Sequence, residues 1–152
     1  MVRRTELSKI KVKDVYLNTN TLWISAEYSK NNKSDFVTIP PKLRVLLEDH
    51  IKNANKDYYL FSNSNYAPGR ERFKPKKASS NWARMRKKLN IDSSIKWYYL
   101  KDTGIVDLIK AGVPLNSVRD QARHHSISQT NDYIPRNMKK ADSNITLANL
   151  NF

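Results

Sequence analysis

The sequence predicts an α+β fold that is mainly α-helical and carries one small antiparallel β-sheet. Apolar residues recur at three- and four-residue spacing in several separate stretches, which is the pattern of amphipathic helices. Residues 21–40 instead show the β-rich, alternating pattern of a hairpin. The chain has 152 residues, of which 39% are hydrophobic and 10% aromatic. That length and composition suit one buried core, so we expect a single domain over residues 1–152.

The first predicted elements are a helix end and a hairpin. Residues 3–10 resemble the last part of a helix, because apolar side chains recur three apart on one face. Residues 21–27 alternate apolar side chains on one face of a strand, with Trp23 on the other, and residues 35–39 form a second β-rich run. The Asn31-Asn32 pair between them suits a turn, so the two runs predict a hairpin.

Helical patterns account for most of the remaining chain. Pro41 is suited to the first position of a helix, and Gly112 is a usual residue just after a helix end. The predicted helices span residues 41–53, 79–89, 98–110 and 113–123. A final segment at 126–133 precedes a polar tail, residues 134–152.

The charge of the chain indicates a polyanionic partner. Lys and Arg number 28 against 14 Asp and Glu, which gives a net charge of +14 and an isoelectric point near 10. Such a balance is most simply explained by nucleic acid binding. The absence of cysteine excludes disulfides, cysteine-based zinc sites and thiol nucleophiles. No apolar stretch is long enough for a membrane span and no signal peptide is evident, so we expect a cytoplasmic protein with no membrane partner.

The positive charge is concentrated between residues 66 and 90, which hold nine cations and one acid. Three aromatic residues lie among these cations, so part of the segment can pack while the cations face solvent. We interpret it as a loop, broken by Lys74-Pro75-Lys76, followed by a helix that presents charge to phosphates. The predicted DNA-binding residues, which include one lysine near the hairpin tip, are Lys33, Arg70, Arg72, Lys74, Lys76, Lys77, Arg84, Arg86 and Lys87.

Polar residues along the chain form three motifs in a fixed order. The first is Arg3-Arg4-Thr5-Glu6-Leu7, followed by Ile10 and Asp14-Val15. The second is the hairpin lysine, Lys30, followed by the step Ile39-Pro40. The third is a C-terminal block with Ala111-Gly112, a helix, His124, Ser126-Ile127-Ser128, Thr130 and Tyr133. In this order they resemble the motifs of the tyrosine recombinase (phage integrase) family, over nearly the whole chain from Arg3 to Tyr133.

The resemblance implies a fold, an activity and partners. It implies the catalytic-domain fold of a mobile-element integrase, which cleaves and rejoins duplex DNA through a 3′-phosphotyrosine intermediate with no ATP, metal or other cofactor. The family adds an N-terminal core-binding domain, so we expect this chain to be a fragment of a longer integrase that lacks this domain. In the full-length protein other protomers complete a tetrameric synapse. The tail, residues 134–152, reaches a neighbouring protomer or folds back on its own domain.

The resemblance also assigns roles, and phosphate chemistry explains why these residue types belong together. Tyr133 is the nucleophile, and its phenol needs neighbouring cations or a base in order to ionise. Arg3, Lys101 and His124 bind the non-bridging oxygens, whose negative charge grows in the transition state. Lys30 protonates the leaving 5′-oxygen, and Lys33 is the competing candidate for this role.

One motif departs from the family pattern. The usual His-x-x-Arg, ten residues before Ala111-Gly112, is replaced by Tyr98-Tyr99-Leu100-Lys101. Lys101 keeps a positive charge but lacks the two-pronged donor geometry of arginine, and Tyr98 is a weaker acid or base than histidine near pH 7.

Other readings therefore stay open. The first is a catalytically weakened or inactive DNA-binding relative. The second, supported only by charge, is a module that binds RNA or associates with the ribosome. A type IB topoisomerase shares the chemistry. Only His50 accompanies the His124-His125 pair, so we expect no metal site.

Overall fold

A computed structural model describes residues 1–29 and 32–138. The helices are α1 (Arg4–Leu7), α2 (Pro41–His50), α3 (Pro75–Lys88), α4 (Tyr99–Lys110), α5 (Leu115–Ala122) and α6 (Ile127–Asn131). The strands are β1 (Val15–Tyr16), β2 (Thr21–Ile24) and β3 (Asp35–Thr38), which form one antiparallel sheet in the order β1-β2-β3. Two further 3-10 turns cover Val12–Asp14 and Arg136–Met138. This architecture confirms the predicted fold class.

The hairpin of β2 and β3 has the predicted alternation. Leu22 pairs with Val37, and both are buried together with Ile24. Trp23 lies on the opposite face and packs on Phe36, with 4.6 Å between ring centroids. β2 ends at Ile24 and β3 begins at Asp35, so the connection between them is longer than a tight turn.

Two apolar clusters hold the described residues together. The first, which we call the sheet cluster, joins the β-sheet to the chain around it and consists of Ile10, Leu22, Ile24, Val37, Ile39, Leu47 and Leu60. The second, the helix cluster, lies between α4 and α5 and consists of Ile105, Ile109, Val118 and Ala122. Tyr133 packs against the helix cluster, so apolar contacts with α4 and α5 hold the candidate nucleophile in place.

The structure corrects several predicted boundaries and burials. α1 is shorter than the predicted 3–10, and α2 ends at His50, before the predicted residue 53. α3 begins at Pro75 and not at residue 79: the proline occupies the first helical position, where no N–H donor is needed, so it starts the helix that we expected it to break.

On α2, only Leu47 is buried, whereas Leu43, Val45 and Leu46 are exposed. These three side chains are exposed because only one face of α2, the face that carries Leu47, meets the sheet cluster. Trp82 and Trp97, predicted core residues, are half-buried and contact each other edge to face.

The ends of α4 and α5 position the candidate site. α4 ends at Lys110, and Gly112 has a φ of +76°, as its place after a helix predicts. α5 ends at Ala122, and Arg123, which follows it, adopts the same left-handed conformation with a φ of 55° although it is not glycine. Across residues 1–29 and 32–138, no helix combines the length and apolar character needed to cross a bilayer.

Candidate active site and DNA interface

The three predicted ligands of the non-bridging phosphate oxygens come from distant parts of the chain and converge. Arg3 precedes α1, Lys101 lies in the first turn of α4, and His124 follows α5. Burial, and next the charge of Arg3, lower the pKa of Lys101 to about 8. Burial also lowers the pKa of His124, followed by repulsion from Lys101 and then Arg3. Each group therefore lies within electrostatic reach of the others.

Arg3 is held by the fully buried carboxylate of Glu6. Glu6 Oε2 accepts a 2.8 Å hydrogen bond from the Arg3 backbone N–H, and Oε1 accepts a 3.0 Å bond from Arg3 Nη1. The Arg3 side chain stays 21% exposed. Glu6 thus fixes the direction of the guanidinium while leaving part of it open to a ligand.

Hydrogen bonds hold the side chains of Lys101 and His124 in place. Lys101 Nζ donates to the Ala122 carbonyl at 2.8 Å, at the end of α5. His124 Nδ1 lies 3.0 Å from Oγ1 of Thr130, which is fully buried in α6. Because the pKa of His124 is lowered, its ring is neutral near pH 7. When Thr130 donates to Nδ1, the hydrogen is on Nε2, which suits a neutral donor to a phosphate oxygen.

The phenol of Tyr133 lies beside these groups and donates a hydrogen bond to a carboxylate. Its ring stacks on His124 with 5.6 Å between centroids and 25° between planes. Tyr133 Oη donates to Asp102 Oδ1 at 3.0 Å. Burial, and next this bond, raise the pKa of Tyr133 to about 12. The phenol is therefore protonated at neutral pH, and Asp102 is the base in contact with its proton.

Two further candidate residues, Lys33 and Tyr98, border this cluster. Lys30 lies outside the described residues. Lys33 is exposed and lines a cavity of about 400 Å³ together with Asp35, Arg123, His124 and His125. Tyr98, half exposed at the start of α4, is close enough to Tyr133 to affect its pKa.

A groove connects the cluster to the basic helix. It has a volume of about 730 Å³, and its lining includes Arg3, Arg4 and Lys101 on one side and Trp82 and Arg86 of α3 on the other. α3 is thus placed so that its cations extend the positive surface away from Arg3 and Lys101.

The predicted DNA-binding residues fall into two groups. On the described surface, the exposed cations whose side chains make no hydrogen bond or ion pair within the chain include Arg70, Arg72, Lys74, Lys76 and Lys87. Arg84 is also exposed, and it donates to Asn81 Oδ1. Lys77 donates to the Asn63 carbonyl and lies over the Tyr66 ring. Arg86 donates to backbone carbonyls of residues 92, 93 and 95. The last two residues therefore also hold the fold together.

The described residues contain no group of three or more histidine, aspartate or glutamate side chains placed to hold a metal ion. The donors of the cluster are instead ammonium, guanidinium and imidazole groups, which bind anions.

Comparison with known proteins identifies the family. The sequence model of the phage integrase family matches residues 1–140. The chain belongs to the phage integrase family. A comparison with curated proteins finds no significant match.

Solved structures of integrases share the fold of this family member. The XerA recombinase is 19% identical, with a TM-score of 0.70 over 95% of this chain and 50% of that chain. A variant of the Tn1549 transposon integrase in complex with transposon right end DNA is 14% identical, with a TM-score of 0.74 over 97% and 55%. Another variant of that integrase, in complex with a circular intermediate DNA, is 15% identical, with a TM-score of 0.73 over 89% and 50%. The chain thus spans about half the length of these proteins.

Two residues that contact this cluster of site residues, Asp102 and Arg123, were not predicted from the sequence. Asp102 follows Lys101 directly, so its place beside the Tyr98-Tyr99-Leu100-Lys101 motif was a usable signal. Arg123 is an arginine immediately before His124, at a helix end where glycine is typical. Its side chain is only 4% exposed and its Nη1 lies 3.0 Å from Glu6 Oε1. Nothing in the local sequence pattern indicates this long-range pair.

Proposed function

We propose that this phage integrase family member is the catalytic domain of a site-specific DNA recombinase, which cleaves and rejoins duplex DNA through a 3′-phosphotyrosine. The observation that carries the proposal is the convergence of Arg3, Lys101 and His124 beside the phenol of Tyr133. Three anion-binding donors next to a phenol that can act as a nucleophile are the groups that phosphoryl transfer to tyrosine requires.

The proposed cleavage step uses these groups in fixed roles. The non-bridging oxygens of the scissile phosphate bind Arg3, Lys101 and His124. Tyr133 Oη attacks phosphorus and gives its proton to Asp102, to which it is already bonded. The bond from phosphorus to the 5′-oxygen breaks, and that oxygen takes a proton from a hairpin lysine, Lys30 or Lys33. Attack by another 5′-hydroxyl on the phosphotyrosine reverses these events and rejoins DNA.

The duplex is proposed to lie along the groove and α3, with the exposed cations on its phosphates. Since the chain spans about half of the matched structures, we further propose that complete recombination uses the remainder of a longer integrase, with an N-terminal domain on the other face of the duplex and four protomers in the synapse. The reaction then takes place on DNA in the cytoplasm, at the bacterial nucleoid.

A matched pair of neighbouring lysines tests the DNA position. Lys87 lies one turn after Ala83, which lines the groove, whereas Lys88 is about 100° further around α3. We expect Lys87→Ala to lower the slope of log affinity against log salt by about 0.9, the value of one phosphate contact. Lys88→Ala leaves the slope unchanged. Fluorescence anisotropy of a labelled duplex over a salt series measures both, and equal slopes for the two variants contradict this position.

The lowered pKa of Lys101 predicts a pH dependence. Lys101 is charged below its pKa of about 8 and neutral above it. Neither Tyr133, with a pKa near 12, nor neutral His124 changes charge between pH 7 and 9. With subsaturating DNA, cleavage should therefore fall about tenfold over this range, as the charged fraction of Lys101 does. In Lys101→Arg the fall disappears, because arginine stays charged. An identical fall in this variant contradicts the assignment.

Covalent trapping tests the function itself. The chain is incubated, in EDTA, with a pool of nicked duplexes of randomised sequence, in which cleavage next to the nick releases a short strand and prevents rejoining. Adducts that survive SDS are recovered and their DNA is sequenced. We expect adducts enriched in one sequence family. If DNA binds but no adduct forms, the chain is a binding relative. If structured RNA is preferred over duplex at equal salt, the DNA function is wrong. Relaxation of supercoiled DNA without any sequence enrichment indicates a topoisomerase.

A further inference from the structure

Arg123 is the only buried arginine among the described residues, and the cleavage steps above do not use it. Its side chain is 4% exposed, and its backbone has a φ of 55° and a ψ of 49°. Glycine adopts this conformation readily, whereas a residue with a Cβ is disfavoured there. The arginine at this helix end therefore stands against a local backbone preference, and its guanidinium makes contacts that glycine could not make.

The guanidinium connects α1 to the middle of the β2–β3 connection and to the start of β3. Arg123 Nη1 donates to Glu6 Oε1 at 3.0 Å. Nη2 donates to Ser29 Oγ at 2.5 Å and to the Lys33 carbonyl at 3.3 Å. Nε lies 4.0 Å from Asp35 Oδ2, at the start of β3. One side chain thus ties the hairpin to the carboxylate that orients Arg3.

These contacts separate two possible roles. A direct phosphate ligand needs free donors and open access, as Arg3 has. Arg123 instead directs its donors at protein oxygens and is almost fully enclosed. It also lies directly before His124 and lines the same 400 Å³ cavity as Lys33. The geometry favours a role in placing the hairpin against the site.

We propose that Arg123 is a positioning residue that sets the β2–β3 hairpin, and so its proton-donating lysine, against the scissile phosphate. The proposal rests on the proposed recombinase function. It predicts that loss of the guanidinium impairs protonation of the leaving 5′-oxygen and leaves the attack of Tyr133 and the stabilisation of the non-bridging oxygens largely intact.

A leaving-group substitution tests this separation. In a 5′-bridging phosphorothiolate the leaving atom is sulfur, which departs as a thiolate without a proton donor. The trapped duplex is prepared with oxygen and with sulfur at this position, and adduct formation is timed for the wild type and for Arg123→Gly, which fits the left-handed backbone. We expect the variant to lose at least about 100-fold with oxygen, in the range of general acid catalysis, and to come within about fivefold of wild type with sulfur.

Arg123→Lys provides the second variant, because it keeps a cation near Glu6 but lacks the fork that reaches both Ser29 and the Lys33 carbonyl. We expect it to show the same sulfur rescue with a smaller loss on oxygen. Equal losses on both substrates overturn the proposal, as does an unchanged rate with oxygen. Rescue by a neutral methylphosphonate in place of the phosphate, but not by sulfur, overturns it in favour of direct contact with the non-bridging oxygens. Absence of any wild-type adduct refutes the recombinase function and is a distinct result.

Discussion

Replacing Tyr133 by phenylalanine should abolish covalent attachment to DNA, with a loss on the order of 10⁴-fold or more, as expected when a catalytic nucleophile is removed. The variant keeps the ring that stacks on His124 and loses only the hydroxyl bonded to Asp102. One hydrogen bond of a half-buried tyrosine contributes about 1 kcal/mol to the free energy of unfolding. The variant should therefore fold and bind the trapped duplex within about twofold of wild type, since its cations are unchanged.

Tyr99→Phe is the matched control. Tyr99 is the second residue of the Tyr98-Tyr99-Leu100-Lys101 motif, and it is 45% exposed. Its substitution should leave adduct formation unchanged on an SDS gel. If Tyr133→Phe still forms adduct at the wild-type rate, another side chain is the nucleophile. If it loses DNA binding together with the adduct, Tyr133 is a structural or binding residue.

Replacing Glu6 by alanine should lower the free energy of unfolding by about 3–5 kcal/mol, the cost of removing one partner from a buried ion pair. Glu6 is fully buried and its carboxylate accepts from both Arg3 and Arg123. Its loss leaves the buried Arg123 guanidinium without its carboxylate and frees Arg3 from its fixed orientation. Urea unfolding measures the stability, and the covalent adduct should be lost in parallel.

Glu48→Ala controls for the removal of a glutamate that pairs with arginine. Glu48 and Arg44 form a pair at 3.2 Å on α2, where both side chains are well exposed. Exposed pairs of this spacing contribute about 0.3–0.5 kcal/mol, so this variant should unfold close to the wild type. Similar free energies of unfolding for the two variants contradict the assigned role of the Glu6 carboxylate.

Local sequence patterns were sufficient for most of the fold. Alternation around Leu22 and Ile24 predicted β2, and Gly112 marked the end of α4, because one face or one backbone angle decided each case. The predicted start of α3 was wrong because a proline such as Pro75 can either break a helix or occupy its first position. The exposure of Leu46 depends on how much of α2 the sheet cluster covers, which no local pattern records.

The candidate site was predictable only where a family motif marks it. Arg3, Lys101, His124 and Tyr133 were selected from motif spacing, and the structure brings them together. The hydrogen bond between Tyr133 and Asp102 joins residues that are 31 positions apart in the sequence. The hydrogen bond between Arg123 and Glu6 joins residues that are 117 positions apart. Such contacts follow from the packing of α4, α5 and the hairpin against one another, so they became visible only in three dimensions.

The most direct test of the account is to identify the amino acid that becomes joined to DNA. Adduct from the trapped duplex is digested with protease and nuclease, and the modified peptide is fragmented by mass spectrometry. We predict a nucleotide whose 3′-phosphate is esterified to the phenol oxygen of Tyr133. Attachment to another residue, such as the nearby Tyr98, or a phosphate joined through its 5′ side, contradicts the assignment of Tyr133 and of the cations around it.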